Sequence, residues 1–174
     1  MLLFIETMAL KPTTLVFLIK RADNNQISEV CLAYKKRGLG AGRFNGVGGK
    51  LEAGETVEQA AFRETKEEIG VDTKALSKRA ELTFLFPAKP EWDQMVSVYL
   101  CESWDGEPVE SEEMRPQWFT TESIPYSEMW ADDIYWLPLV LEEKAVRGTF
   151  SFGEGDVVLS KEWQTVEAAT LTTA

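Results

Sequence analysis

The chain has 174 residues, 44% of them hydrophobic, with 6 Trp, 9 Phe and 4 Tyr; that is enough to bury a full core in one domain and too apolar for an intrinsically disordered chain. A formal net charge of −11 excludes nucleic-acid binding through a broad basic surface. The absence of histidine excludes Ser-His and Cys-His catalysis and His-ligated zinc, leaving acid–base chemistry to carboxylates, Lys, Arg and Tyr.

In chain order, residues 1–6 are apolar but short, lack a basic start and include Glu6, so they do not read as a secretory signal. Met8 is a second plausible start, and removal of residues 1–7 is expected to leave turnover intact in an activity assay. No stretch is apolar for long enough to span a bilayer. Residues 13–20 are a β-branched and apolar run that reads as a strand, residues 22–25 supply turn chemistry, and residues 29–34 read as the return strand. Residues 35–43 form a glycine-rich loop with the only concentrated positive charge on the chain; it either faces an anion or is an ordinary solvated loop. Cys31 and Cys101 read as two buried thiols in a reducing cytosol.

Thr56 can cap a helix whose apolar face includes Val57, Ala60, Ala61 and Ile69 and which stops at Gly70. Residues 82–86 and 95–101 alternate as paired strands across the loop 87–94, residues 107–113 are an acidic loop, and residues 117–120 a short strand. Asp133 opens a second amphipathic helix over 134–144, broken or bent near Pro138. Residues 149–153 and 156–159 read as a closing hairpin, and from about residue 167 the small, polar sequence reads as a loose tail. Strands interleaved with two helices predict an α+β sandwich, a mixed sheet flanked by helices, with no repeat and no linker.

The chemistry concentrates on the first helix. Glu64, Glu67 and Glu68 stand at i, i+3 and i+4 and share one helical face, where three like charges repel. A divalent cation turns that repulsion into attraction, and an all-oxygen donor set suits Mg²⁺ or Mn²⁺. The preceding Asn45-Gly-Val-Gly-Gly49 lets backbone come close to an anion. The residues alone therefore indicate metal plus phosphate.

From Gly49 to Val71 the chain runs Gly, five residues, Glu55, seven residues, Arg63-Glu64, two residues, Glu67-Glu68, one residue, Gly70 and an apolar residue. This resembles the Nudix box at every fixed position, except that Thr65 stands where a bulky apolar residue is usual, which should loosen helix packing. The resemblance extends to the MutT-homologue type of oxidised-purine nucleoside triphosphatase within that superfamily. Segments 40–50, 108–119 and 124–136 are similar to its substrate loop, second acidic segment and base-recognition segment, and the similarity covers most of 14–159.

That resemblance implies a single Nudix hydrolase domain over 1–174 with loose ends at about 1–7 and 167–174, folded as an α/β/α sandwich with a mixed central sheet and two main helices. It implies a monomeric, cytoplasmic enzyme, needing no nucleic acid and no membrane. With Mg²⁺ or Mn²⁺ it would hydrolyse purine nucleoside triphosphates such as 8-oxo-dGTP and 2-hydroxy-dATP to the monophosphate and pyrophosphate. Glu64, Glu67, Glu68, Glu113 and the Gly48 carbonyl would hold the metal, and Glu67 or Glu113 would act as base. Arg63 is expected to pair with Glu55 and brace the loop rather than to touch phosphate.

By the same resemblance, substrate contacts fall on Thr14, Lys35, Asn45, Val47, Gly48, Gly49 and Lys50. Phe84, Phe86, Trp130 and Ala131 would meet the base, with Asp132 and Asp133 against the purine edge. Two acids held close and desolvated cannot both ionise comfortably, so one would donate and the other accept. The same pair also fits a helix N-cap with a first-turn acid, and the two roles are compatible. Leu39 stands where the animal enzymes carry an aromatic residue, and a slightly longer 89–94 loop leaves Gln94 or Met95 in place of a base-contacting methionine. Two rivals remain: a Nudix pyrophosphohydrolase of a methylated purine triphosphate, ADP-ribose or a dinucleotide, and a catalytically silent nucleotide sensor. The complete set of Arg63, Glu64, Glu67 and Glu68 argues against the sensor.

Overall fold

A computed structural model describes residues 10–171; residues 1–9, with the proposed dispensable start, and residues 172–174 lie outside the described residues. The elements in order are β1 (Lys11–Arg21), β2 (Ile27–Lys35), β3 (Phe44–Asn45), α1 (Val57–Ile69), β4 (Asp72–Thr73), β5 (Ser77–Leu85), β6 (Gln94–Cys101), β7 (Trp104–Asp105), β8 (Met114–Thr120), α2 (Asp133–Leu141), β9 (Ala145–Phe152) and β10 (Val158–Val166). The main sheet runs β10-β9-β5-β6-β1-β2-β3, with β8 also paired to β2. The β1–β6 and β5–β9 pairs are parallel and the remaining pairs antiparallel, so the sheet is mixed.

Alternation along the central strands explains the layering. Successive side chains of a strand point to opposite faces. On β1, Phe17 and Ile19 pack with α2, which contributes Trp136 and Leu137, whereas Val16 and Leu18 pack with Ala61 and Ile69 of α1. On β2, Val30 and Leu32 join the first cluster and Cys31 and Ala33 the second. Both faces are apolar because each carries a helix, giving the expected α/β/α sandwich.

Helix α1 begins with a capping box: Gln59 N donates to Thr56 Oγ1 at 3.1 Å, and Thr56 N donates to the Gln59 side chain at 2.9 Å. It ends at Gly70 in a left-handed conformation, φ 75°. Thr65 does not loosen the packing: it is fully buried, with its hydroxyl bonded to the Ala61 carbonyl one turn back at 2.7 Å.

Four further expectations are corrected. Helix α2 passes through Pro138 and ends at Leu141, short of residue 144, where Glu142 caps it and Glu143 turns left-handed at φ 66°. It is apolar rather than amphipathic, burying Trp136, Leu137, Val140 and Leu141. The closing hairpin spans all of β9 and β10, well beyond 149–159. The tail is not loose from residue 167, because residues 168–171 form a 3-10 turn that buries Leu171 completely. The buried leucine docks it, together with Arg147 Nη2 donating to the Thr170 carbonyl at 3.1 Å.

Candidate active site

The glycine-rich segment after β3 lies along β1 as an irregular added strand. Thr14 N donates to the Gly49 carbonyl at 2.9 Å, and Val16 and Val47 exchange both backbone bonds at 2.6 and 2.9 Å. Gly48 must be glycine here, since a Cβ would come within 1.8 Å of the Thr14 carbonyl oxygen. This docking fixes one wall of a cleft and sets the segment against α1.

On α1 the three carboxylates share a face but differ in depth. Glu68 is 7% exposed, the Glu64 side chain 14% and the Glu67 side chain 57%. Glu68 accepts the Gly48 N–H at 3.2 Å, and the Glu64 carboxylate packs so closely on Gly49 that a Cβ there would meet it at 2.6 Å. Burial pushes the Glu68 carboxyl up to about 8, with the Glu64 charge adding to it. Glu64 is raised by burial as well, with Glu67 and Glu113 adding repulsion against the relief from Arg63. Arg63 braces loop to helix as expected. It holds Glu55 through two nitrogens and the Lys50 carbonyl at 3.1 Å, and it also reaches Glu64 at 3.0 Å and Glu67 at 3.1 Å.

Among the described residues no three Asp, Glu, Cys or His side chains converge in metal-ligating geometry. Each acid is instead turned toward a cation or an N–H of the protein, Glu113 toward Arg37 at 2.9 Å. The donor chemistry nonetheless fits a divalent ion: hard oxygens, with two of the carboxyls raised by burial and secondarily by neighbouring acids, a cost of ionisation that a cation would relieve.

Of the two environments expected for the basic 35–43 loop, its middle cations meet an anion, though one that belongs to the protein. Lys36 pairs with Glu110 and donates to the Ser111 carbonyl at 2.8 Å, while Arg37 pairs with Glu113 and lies 3.8 Å from Glu112. The anion faced by these two residues is the protein's own 107–113 loop, and of the loop's cations only Lys35 lines the cleft, with Leu39 and Gly40 beside it.

The cleft has a cavity volume of about 270 Å³. Its inner end is aromatic. Phe86 stacks on Phe152 with centroids 5.2 Å apart, and Trp130 meets both rings edge-on at 6.2 and 5.4 Å. Asp132 and Asp133, 1% and 3% exposed, line the same cavity. Asp132 Oδ2 accepts the Trp136 indole N–H at 2.7 Å, and its side chain makes no helix-capping bond. Asp132 takes the N-cap position of α2 and Asp133 its first turn, as expected, but without the side-chain capping bond. Burial lifts Asp132 to about 6, tempered by the Trp136 bond. Burial and the neighbouring Asp132 charge hold Asp133 well above the usual carboxylate range. Both carboxyls are raised and share one desolvated site, so the pair favours one ionised and one protonated carboxyl over two anions. Asp133 Oδ2 and Thr14 Oγ1 are buried without a hydrogen-bond partner, and both residues line the cavity. Asn45 spends its Oδ1 on Gly46 N at 2.8 Å, leaving its amide hydrogens for the cavity.

A pH dependence of stability follows. Carboxyls raised on folding bind more protons in the folded than in the unfolded chain, so stability falls as pH climbs above the unfolded Asp value of about 4. Asp133→Asn is expected to remove part of this cost and stabilise the protein by about 1–3 kcal/mol near neutral pH, with little gain below about pH 4. Paired thermal melts of wild type and variant across that range check it.

Comparison with known proteins gives the arrangement a family. The NUDIX domain profile matches residues 10–140. The chain belongs to the Nudix family of hydrolases. It is 46% identical over 142 residues to the "Oxidized purine nucleoside triphosphate hydrolase" of Danio rerio, covering 82% of this chain and 90% of that protein. The Mus musculus protein of the same name is 44% identical over 143 residues, covering 82% and 91%. In structure, the MutT protein of Bacillus halodurans superposes with a TM-score of 0.75 at 24% identity, over 89% of this chain and 98% of that one.

The cleft gathers most of the substrate contacts singled out from sequence. Thr14, Lys35, Asn45, Gly48, Gly49 and Lys50 line its polar side, and Phe84, Phe86, Trp130, Asp132 and Asp133 the remainder. Arg63, Glu64, Glu67, Glu68 and Glu113 are not among its lining residues, and two of the expected substrate contacts do not belong to it either. Val47 is buried with both backbone groups spent on Val16, and Ala131 is exposed beside the wall. Gln94, not the exposed Met95, stands in the cavity, with Thr13 bonded to it at 3.1 Å. Sequence reasoning missed Trp92, Trp136 and Phe152, which also line the cleft. Trp136 had a signal, four residues after Asp132 on a helix. Phe152 had none, since it arrives only through the parallel pairing of β9 with β5.

Proposed function

We propose that this Nudix hydrolase cleaves oxidised purine nucleoside triphosphates, such as 8-oxo-dGTP and 2-hydroxy-dATP, to the monophosphate and pyrophosphate, sanitising the nucleotide pool. The observation that carries the reading is the buried Asp132–Asp133 pair at the aromatic end of the cleft, where one oxygen of Asp133 lacks a partner. An anion and an acid side by side accept and donate at once, and so match a purine edge carrying both kinds of group. Relatives named for this activity, at 44% and 46% identity over most of both chains, support it.

The chain's residues divide the work. Trp130, Phe86 and Phe152 take the base, and Asn45 supplies an amide donor. Lys35 and Lys50 sit beside the polar end, where the phosphates would lie. Glu64, Glu67, Glu68, Glu113 and the Gly48 carbonyl would hold Mg²⁺ or Mn²⁺, which supplies charge neutralisation at phosphate oxygens and acidifies a water. Water oxygen bonds to phosphorus as the bond to the departing pyrophosphate breaks. The water proton passes to Glu67 or Glu113, the more exposed acids of the set. Arg63 keeps α1 and the glycine segment in register throughout.

The test is a nucleotide panel with ion-exchange analysis of products. Pyrophosphate and monophosphate should form from 8-oxo-dGTP with Mg²⁺, and EDTA should abolish the reaction. Release of inorganic phosphate, or no turnover of any oxidised purine, would sink the assignment.

A further inference from the structure

We propose that Arg43 and Asp156 form a clamp behind Trp130 that fixes the indole in the attitude the cavity requires, which makes Arg43 a positioning residue; the kinetic consequences rest on the purine reading above. The guanidinium carbon of Arg43 lies 4.5 Å from the centroid of the Trp130 ring. Its Nη2 donates to Asp156 Oδ2 at 2.9 Å. Trp130 lines the cavity, whereas Arg43 and Asp156 do not.

The indole is gripped on several sides. Arg43 covers its face, while Phe86 and Phe152 meet it edge-on. A Cβ at Gly40 would stand 2.9 Å from the indole nitrogen, so the loop backbone closes on that edge. The loop carrying Gly40 and Arg43 is itself closed, with Lys35 N bonded to the Arg43 carbonyl at 2.9 Å and Gly42 N to the Lys35 carbonyl at 2.8 Å. Asp156 sits in the β9–β10 turn at φ 59°, a conformation that non-glycine residues seldom adopt, and the turn is closed by Gly153 N to the Val157 carbonyl at 2.8 Å.

A planar guanidinium is the group this position needs. It stacks on the ring while donating in its own plane to a carboxylate, which an ammonium cannot do. The clamp thereby ties the glycine-rich loop and the terminal hairpin to one aromatic side chain. Because Trp130 offers a ring face or edge common to all purines, the clamp should govern how tightly a purine is held and leave the choice among purines to Asp132 and Asp133.

Arg43→Ala, Arg43→Lys and Asp156→Asn are to be compared with wild type in steady-state kinetics on 8-oxo-dGTP and 2-hydroxy-dATP. The indole N–H resonance of Trp130, assigned with Trp130→Phe, is followed by NMR, and thermal melts monitor folding. KM should rise about tenfold in Arg43→Ala and about threefold in Asp156→Asn, in parallel for both purines. Turnover at saturation should stay within about twofold, and Arg43→Lys should not restore KM. The Trp130 resonance should move in all three variants. Unchanged KM in Arg43→Ala, a changed ratio between the purines, or a Trp130 resonance unmoved by Arg43→Ala and Asp156→Asn would overturn the clamp. Should Arg43→Ala fail to fold, Asp156→Asn, which keeps the side-chain shape in a surface turn, decides. If wild type turns over neither purine, the substrate reading falls and the NMR comparison still tests the clamp.

Discussion

Glu68→Gln is expected to lower kcat by about 10²–10⁴-fold while leaving the fold intact or slightly more stable. The two halves of that expectation have separate causes. Glu68 is buried, pushed up to about 8 by burial and by the Glu64 charge, and bonded to Gly48 N. Glutamine keeps an oxygen for that N–H and removes the charge that burial penalises, so the metal-free protein loses little. It also removes one of the few hard, anionic donors able to favour a divalent ion. A thermal shift on adding Mg²⁺, expected in wild type because a ligand that binds only the folded state stabilises it, should shrink or vanish in the variant. Glu67→Gln should lower kcat similarly. Near-normal turnover in both variants would overturn the carboxylate face as the metal site.

Asp132→Asn is expected to change the ratio of kcat/KM between 8-oxo-dGTP and 2-hydroxy-dATP by about 10²–10³-fold, with a smaller effect on stability. Asparagine still offers Trp136 an oxygen, a weaker acceptor than the carboxylate's, so the indole bond at 2.7 Å can survive. Burial still raises Asp133, but the added push of the Asp132 charge is gone, and the edge now presents an amide donor where it had an acceptor. Purines whose edges match the old pattern leave a buried polar group unpaired, and that penalty is large in a dry site. An unchanged selectivity profile across a panel of modified purines would remove the pair from base recognition.

Much of the reaction centre was legible because it is local. The spacing of Glu64, Glu67 and Glu68 on one helix, the Thr56 cap and the Gly70 stop all depend on residues within a turn or two of each other. Arg63 on Glu55 was legible for the same reason. What was not legible came from pairing over long separations. Whether the 35–43 loop met solvent or an anion was decided by residues 110–113, more than seventy positions away. The unequal depth of the three glutamates depended on how α1 rests on β1 and the glycine segment. Residue 171, in a run of small polar residues, was hidden because docking of a lone leucine has no periodicity to read. Pro138 misled for a related reason, since tertiary packing of Trp136 and Leu137 holds α2 together past a residue that would end an isolated helix.

The pairing of Lys36 and Arg37 with the acidic 107–113 loop has a kinetic consequence. Those two cations are already matched, which leaves Lys11, Lys35 and Lys50 at the cleft of a protein whose net charge is −11. A polyanion therefore meets the repulsive potential over about the last Debye length of its approach, about 8–10 Å at ordinary ionic strength. Added salt weakens that barrier, so encounter should quicken as ionic strength rises, the reverse of an enzyme that gathers phosphates with a basic funnel. A nucleotide arriving with its charge partly neutralised by a bound cation meets less resistance than the bare anion.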